Sequence, residues 1–154
     1  MADQLLATLG LSGATLVIGF LAGMFPLLSI EAFLFGVARW GSADAGMLAA
    51  LIGIAAVGHQ AAKTVTYYAG AGAFELPRGK VRERIAAARQ RIDRWNRRPR
   101  LVMFAAALIG LPPLYALGFI ARPLLNMSIA TFTAISGAGR IARYVAVVAA
   151  AWLI

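Results

Sequence analysis

Gly23-Met24-Phe25-Pro26-Leu27-Leu28-Ser29-Ile30-Glu31-Ala32-Phe33 sets a proline and then a lone carboxylate inside almost wholly apolar sequence, and Leu111-Pro112-Pro113-Leu114 breaks the other half of the chain in a similar way. Proline has no amide donor and disfavours helix in the residue before it, so each break splits a hydrophobic stretch into two limbs. Several limbs are too short to cross a bilayer. Residues 27–38 rise about 18 Å at helical pitch, 101–111 about 16 Å, and 114–125 no further than 27–38, against a hydrocarbon core of about 30 Å. By contrast 5–23, 43–73 and 127–154 are each long enough to span.

Two limbs joined at a proline break, then one long helix, occur once on each side of a basic interval. If each broken segment is a hairpin that enters and leaves on one face, each copy crosses the membrane once. An odd number of crossings sets the two copies in opposite orientations, the inverted-repeat plan of transporters whose sites lie at mid-depth where broken helices meet. The fold class expected is therefore an all-α integral membrane protein. It is an inverted repeat of re-entrant helical hairpin plus transmembrane helix, in one membrane domain. Its parts are a first hairpin region at 5–40, a transmembrane helix at 43–73, a basic cytoplasmic amphipathic segment at 75–100, a second re-entrant hairpin at 101–125 and a transmembrane helix at 127–154. In an alternative for the first copy, 5–23 crosses fully before a re-entrant limb. Backbone broken at mid-depth needs protein or water to satisfy it, so the tips at Pro26 and at Pro112 and Pro113 are expected to face each other rather than lipid.

Composition agrees with this solvent. Apolar residues make up 61% of the chain and charged ones 14%, against about 45–50% and about 25% in soluble domains. The opening Met1-Ala2-Asp3-Gln4 lacks the basic region of a secretory signal, so no cleavable leader is expected. The absence of cysteine excludes disulfides, thiolate metal sites and cysteine nucleophiles.

Ten of the fifteen basic residues fall within 78–100 together with two acids, so this interval carries a net +8 of the chain's +9. A short basic loop between apolar segments stays in the cytoplasm, which fixes the expected orientation in a cell (inner) membrane. Val81, Ile85, Ala88, Ile92 and Trp95 repeat at helical spacing, with Arg82, Arg84, Arg89, Arg91 and Arg94 around them. That pattern predicts an amphipathic helix on the inner leaflet, its arginines meeting anionic lipid head groups or setting topology alone. Flanking membrane sequence argues against a nucleic-acid patch, and no nucleic-acid partner is expected.

Glu31 at the bilayer centre would cost about 2.5–3.5 kcal/mol, so it is expected to face a cavity or a partner, as a proton carrier or the partner of a cation. The rival role is a hairpin staple that accepts bonds from free N–H groups at the Pro26 break. Lys63 and His59 lie four apart and share a helical face, where they could pair with Glu31, meet a lipid phosphate, or only stabilise the bundle. Arg39 and Arg122 suit interface anchors. Arg140 and Arg143, three apart midway along 127–154, are expected to line the cavity; a helix broken near Ser136-Gly137-Ala138-Gly139 would instead move them toward an interface. Gly19-x-x-x-Gly23 permits close packing within the chain or between copies, so a homo-oligomer is compatible with the sequence. A lone histidine and no cysteine give no metal site.

Three blocks together resemble the DedA, or VTT-domain, membrane proteins, once labelled SNARE-associated Golgi proteins. They are Phe25-Pro26-Leu27-Leu28-Ser29-Ile30-Glu31; Gly58-His59-Gln60-Ala61-Ala62-Lys63-Thr64-Val65-Thr66-Tyr67-Tyr68-Ala69-Gly70; and Gly110-Leu111-Pro112-Pro113 followed by Ala121-Arg122, Met127 and Phe132. The resemblance covers 13–152 and implies two hairpins facing each other from opposite leaflets. It also implies lipid scrambling, flipping of lipid-linked phosphates or proton-linked transport. Ile109 and Tyr115 stand where family members often carry arginines, and Lys63 where many carry an acid. These departures argue against proton coupling and for a short, divergent branch.

No Walker loop, His-Glu-x-x-His, Gly-x-Ser-x-Gly or intramembrane carboxylate pair is present, so an enzyme is not expected and no cofactor is implied. The function expected is a small transporter, flippase or scramblase of an anionic lipid-linked or small substrate. Its midplane cavity would be edged by Glu31, His59, Lys63, Arg140 and Arg143, with membrane lipids as partners. The alternative is a non-transporting membrane organiser or assembly factor acting through the basic amphipathic helix.

Overall fold

The computed structural model describes residues 2–25, 27–75, 99–110, 114–122 and 124–154, and among these the chain is helical with no strand. The helices are α1 (Ala2–Met24), α2 (Ile30–Trp40), α3 (Ala45–Glu75), α4 (Pro99–Ile109), α5 (Leu114–Ala121) and α6 (Ile129–Leu153). Pro26, Pro112, Pro113 and the basic amphipathic segment with Arg82, Arg84, Arg89, Arg91 and Arg94 lie outside the described residues.

Local chemistry sets the helix ends. After α1, Ser29 adopts extended backbone (φ −111°, ψ 106°) and its Oγ accepts the Ala32 N–H at 3.1 Å, an N-cap that starts α2. Glu31 follows in the first turn, where the helix dipole favours a carboxylate. Asp44 caps α3 in the same way, accepting the Met47 N–H at 2.8 Å, and Ser128 caps α6 through the Thr131 N–H at 3.2 Å. Gly110, at φ 92°, ends α4 in the left-handed region that glycine enters without a steric penalty.

One boundary differs from expectation, and one open alternative is decided. The limb expected to run to residue 125 stops at Ala121. The Leu124 and Leu125 amides both turn back to the Ile120 carbonyl, and Asn126 takes φ 49°, a conformation asparagine tolerates better than most residues. The expected alternative of a break at 136–139 is overturned: α6 runs through it unbroken, with the Ser136 hydroxyl bonded to the Phe132 carbonyl one turn back at 2.6 Å. Arg39 lies inside the last turn of α2.

Residues 1–62 with 140–154 form one compact unit, and 63–139 form another. In the first, Ile30 and Leu34 of α2 pack with Leu48, Leu51 and Ala55 of α3 and with Tyr144 and Val148 of α6. Glycine lets α1 lie directly on α3. A Cβ on Gly19 would come within 2.8 Å of the Ala55 carbonyl oxygen, and one on Gly23 within 3.0 Å of that of His59. Four residues further along α1 lies four residues further along α3, so the two helices run in the same direction. Between them α2 returns the chain, and the end of α1 is level with 59–62, near the middle of the 31-residue α3.

In the second unit Tyr67 packs with Met103 and Ala107 of α4, Leu117 of α5 and Phe132 of α6. The Tyr67 hydroxyl donates to the Met127 carbonyl at 2.8 Å, holding the bend between α5 and α6. Gly70 lies directly on the Phe119 backbone, and a Cβ on Gly139 would stand 2.9 Å from the Phe104 carbonyl oxygen.

Ala45–Gly72 of α3 and Ile129–Leu153 of α6 are long and apolar enough to cross a membrane. The placement of side chains says more than length. Leu16, Val17, Phe20, Val57, Val65, Ile141 and Val145 are exposed, whereas Thr15, His59, Lys63, Ser136 and Arg140 are buried. Polar groups inside and large apolar groups outside reverse the usual arrangement of a protein in water.

Candidate functional site

Within the first unit three helices bring charge and hydrogen-bonding capacity together. Glu31 opens α2 beside the turn after α1, His59 sits mid-way along α3, and Arg140, Arg143 and Tyr144 occupy the centre of α6. The helical period explains why α6 can do this: Arg140, Tyr144 and Val148 recur four apart, which lays them on one buried stripe. Arg143, one position short of Tyr144, lies at the stripe's margin, with 31% of its side chain exposed.

Glu31 is anchored at both oxygens. Oε1 accepts from Arg143 Nε at 2.8 Å, and Oε2 accepts from the Ser29 hydroxyl at 3.2 Å, whose own oxygen is already taken by the Ala32 amide. A hydroxyl that accepts a backbone N–H still has its proton to give, so cap and carboxylate support one another. Among the described residues the carboxylate reaches the backbone through Ser29, whose hydroxyl links it to the Ala32 amide.

Arg140 and Tyr144 converge on one nitrogen. Arg140 Nη1 and Tyr144 Oη each lie 3.1 Å from His59 Nδ1. A guanidinium can only donate, so Nδ1 must accept, and the imidazole is neutral with its proton on Nε2. His59, Arg140 and Tyr144 are all buried. Arg140 Nε is buried too and has no hydrogen-bond partner. An unmet buried donor costs about 1–3 kcal/mol, so this nitrogen marks a site held in a less than fully satisfied state.

The fold therefore brings Glu31, His59, Arg140 and Arg143 into one unit, and adds Ser29 and Tyr144, which sequence reasoning did not select. A signal for both existed: Ser29 stands two residues before Glu31 at the end of a break, and Tyr144 follows Arg140 by four on the same face. Lys63, four residues beyond His59, is buried and belongs to the second unit. The groove beside α1 and α3, lined by Gly13, Leu16, Gly53, Ile54 and Val57, is apolar and shares no residue with the site.

Chemically, the cluster offers one engaged carboxylate, one engaged guanidinium, a neutral imidazole and a second guanidinium with an unmet N–H. Among the described residues no group of three or more metal-binding side chains forms. No protein-family model, curated protein or solved structure matches the chain.

Proposed function

We propose that this protein is an integral membrane transporter that moves an anionic amphiphile, as a lipid flippase or scramblase, by way of the cluster at the centre of α3 and α6. One observation carries the reading: buried cationic groups sit midway along helices whose outer faces are apolar and long enough to cross a bilayer. Charge at that depth is expensive, and its retention is the mark of a polar pathway. The lone intramembrane acid is tied to Arg143, so the transported charge is assigned to the substrate rather than to a proton on Glu31.

In this reading α1 and α2 form the first re-entrant hairpin. The shared direction of α1 and α3 supports it, because α2 must then return the chain to the side on which α1 began. So does the level of the α1 end beside 59–62, halfway along α3. The second copy, α4 to α6, resembles the first in one respect. In each, the first limb meets the long helix at a glycine near that helix's middle, Gly58 against Leu16 and Phe20, and Gly139 against Phe104 and Ala107. An inverted repeat with the basic interval 78–100 in the cytoplasm of a cell (inner) membrane completes the proposal.

The test is reconstitution into vesicles with fluorescent phospholipid and with labelled polyprenyl phosphate. Accelerated transbilayer movement of either lipid, lost in Arg140→Gln, is the expected result. Unchanged rates for both lipids would sink the lipid-moving function. If rates stay unchanged while arginine replacements within 82–94 abolish the protein's cellular role, it acts instead as a membrane organiser.

A further inference from the structure

The fold treats two arginines three residues apart on α6 differently. Arg143 is neutralised by Glu31 at 2.8 Å, whereas Arg140 has no carboxylate within ion-pair distance among the described residues. Its contact with His59 Nδ1 is to a neutral acceptor, which orients the guanidinium without balancing its charge. Among Glu31, His59, Arg140 and Arg143, the side chains of the first unit's cluster, one acid stands against two arginines, which leaves a single uncompensated positive charge on a residue only 7% exposed. An oxyanion meets a guanidinium side-on through Nε and a terminal nitrogen together. Nε is the atom that the fold leaves without a partner, and it is shut off from solvent.

We infer that Arg140 is the ligand-reading cation of this site, and that its ligand is an oxyanion of one net charge, a phosphodiester rather than a phosphomonoester dianion. The inference rests on the reading that the cluster meets an anionic amphiphile, and it narrows the class. A monoanion brings the buried charge to zero; a dianion leaves an excess negative charge out of water, which burial disfavours. Arg143 then serves as the counter-charge that holds Glu31, and Glu31 sets how much negative charge the site accepts. His59 and Tyr144 are positioning residues for the guanidinium. The oxyanion could belong to a lipid head group or to a free phosphodiester.

The charge count gives a test that fold stability alone does not mimic. Purified protein in non-ionic micelles is titrated with dihexanoyl phosphatidylglycerol, with dihexanoyl phosphatidic acid above the second phosphate pKa, and with dimethyl phosphate, following tryptophan fluorescence and the unfolding midpoint. The wild type is expected to bind phosphatidylglycerol more tightly than phosphatidic acid by about tenfold or more. Glu31→Gln, which adds one net positive charge, is expected to reverse that preference, and Arg140→Gln to abolish binding of both. Arg140→Lys, which keeps the charge and removes the side-on fork, covers the case of a misfolded glutamine variant and is expected to bind weakly with the preference retained. Equal binding of dimethyl phosphate assigns the site to the free oxyanion; binding of the lipid alone assigns it to the head group. Tighter binding of phosphatidic acid by the wild type, or undiminished binding in Arg140→Gln and Arg140→Lys, overturns the inference. If these signatures appear while vesicle transport is absent, the transport function fails and the site stands.

Discussion

Gly23 of α1 backs the imidazole of His59 on α3: a Cβ there would stand 3.2 Å from His59 Cδ2, 3.0 Å from its carbonyl oxygen and 2.5 Å from the Ala62 methyl. The glycine that lets two helices run side by side is therefore the one that leaves room for the ring on which Arg140 and Tyr144 converge. Packing and site are one construction here, since a displaced α1 would move the acceptor away from both donors.

Glycine substitutions are accordingly expected to split into two classes. Gly19→Ala, Gly23→Ala and Gly58→Ala force a methyl into the facing backbone or side chain and should each destabilise by about 1–3 kcal/mol. At Gly13 and Gly53 a Cβ meets nothing within 4 Å. Alanine there should be neutral or stabilise by up to about 1 kcal/mol through helix propensity. Thermal unfolding of the five variants in one detergent reads both classes.

Because His59 acts as an acceptor at Nδ1, the identity of the replacement matters more than its size. Asparagine can place a carbonyl oxygen near the Nδ1 position, whereas leucine leaves Arg140 and Tyr144 without their shared acceptor. His59→Leu should cost about 1–3 kcal/mol more than His59→Asn. Equal losses in thermal unfolding would mean that the ring is held by shape and not by its nitrogen. Tyr144→Phe is the mild case, expected to cost about 0.5–1.5 kcal/mol, since Arg140 still satisfies the nitrogen and loses only its bond to the phenol oxygen.

The Glu31–Arg143 pair is measurable by a double-mutant cycle of Glu31→Gln and Arg143→Gln. Removing one member of a fully buried pair costs about 3–5 kcal/mol. These side chains retain 19% and 31% exposure, so a coupling of about 1–2 kcal/mol is expected in micelles. Additive losses would show that Ser29 alone holds the carboxylate.

The helical class, the break positions and the long helices were legible from proline placement and limb length, because those depend on local rules. Glu31 was legible as well, since a carboxylate in apolar sequence has few inexpensive roles. Its choice of Arg143 over Arg140 or Lys63 was not, because that choice depends on which helix faces meet, and three positions along α6 separate a buried guanidinium from a half-buried one. The shortened α5 was hidden for a similar reason. Leu124 and Leu125 are apolar enough to continue a helix, and the Tyr67 bond to Met127 that fixes the bend comes from a residue sixty positions away.

The arrangement of α1 and α2 can be tested directly, because the chain has no cysteine and single cysteines can be introduced into it as it stands. Leu27, 96% exposed at the turn between α1 and α2, is free to react wherever water reaches it. If α1 and α2 form a re-entrant hairpin, Leu27→Cys lies in hydrocarbon and is expected to resist a membrane-impermeant maleimide from both sides of oriented vesicles. Trp40→Cys, at the far end of α2, should react from one side, the side on which α3 begins. A full crossing by α1 makes the opposite forecast: Leu27→Cys labels readily from the face opposite the chain's start. Labelling of both positions from one side would exclude each arrangement, since α2 alone rises about 16 Å and must separate its ends in depth.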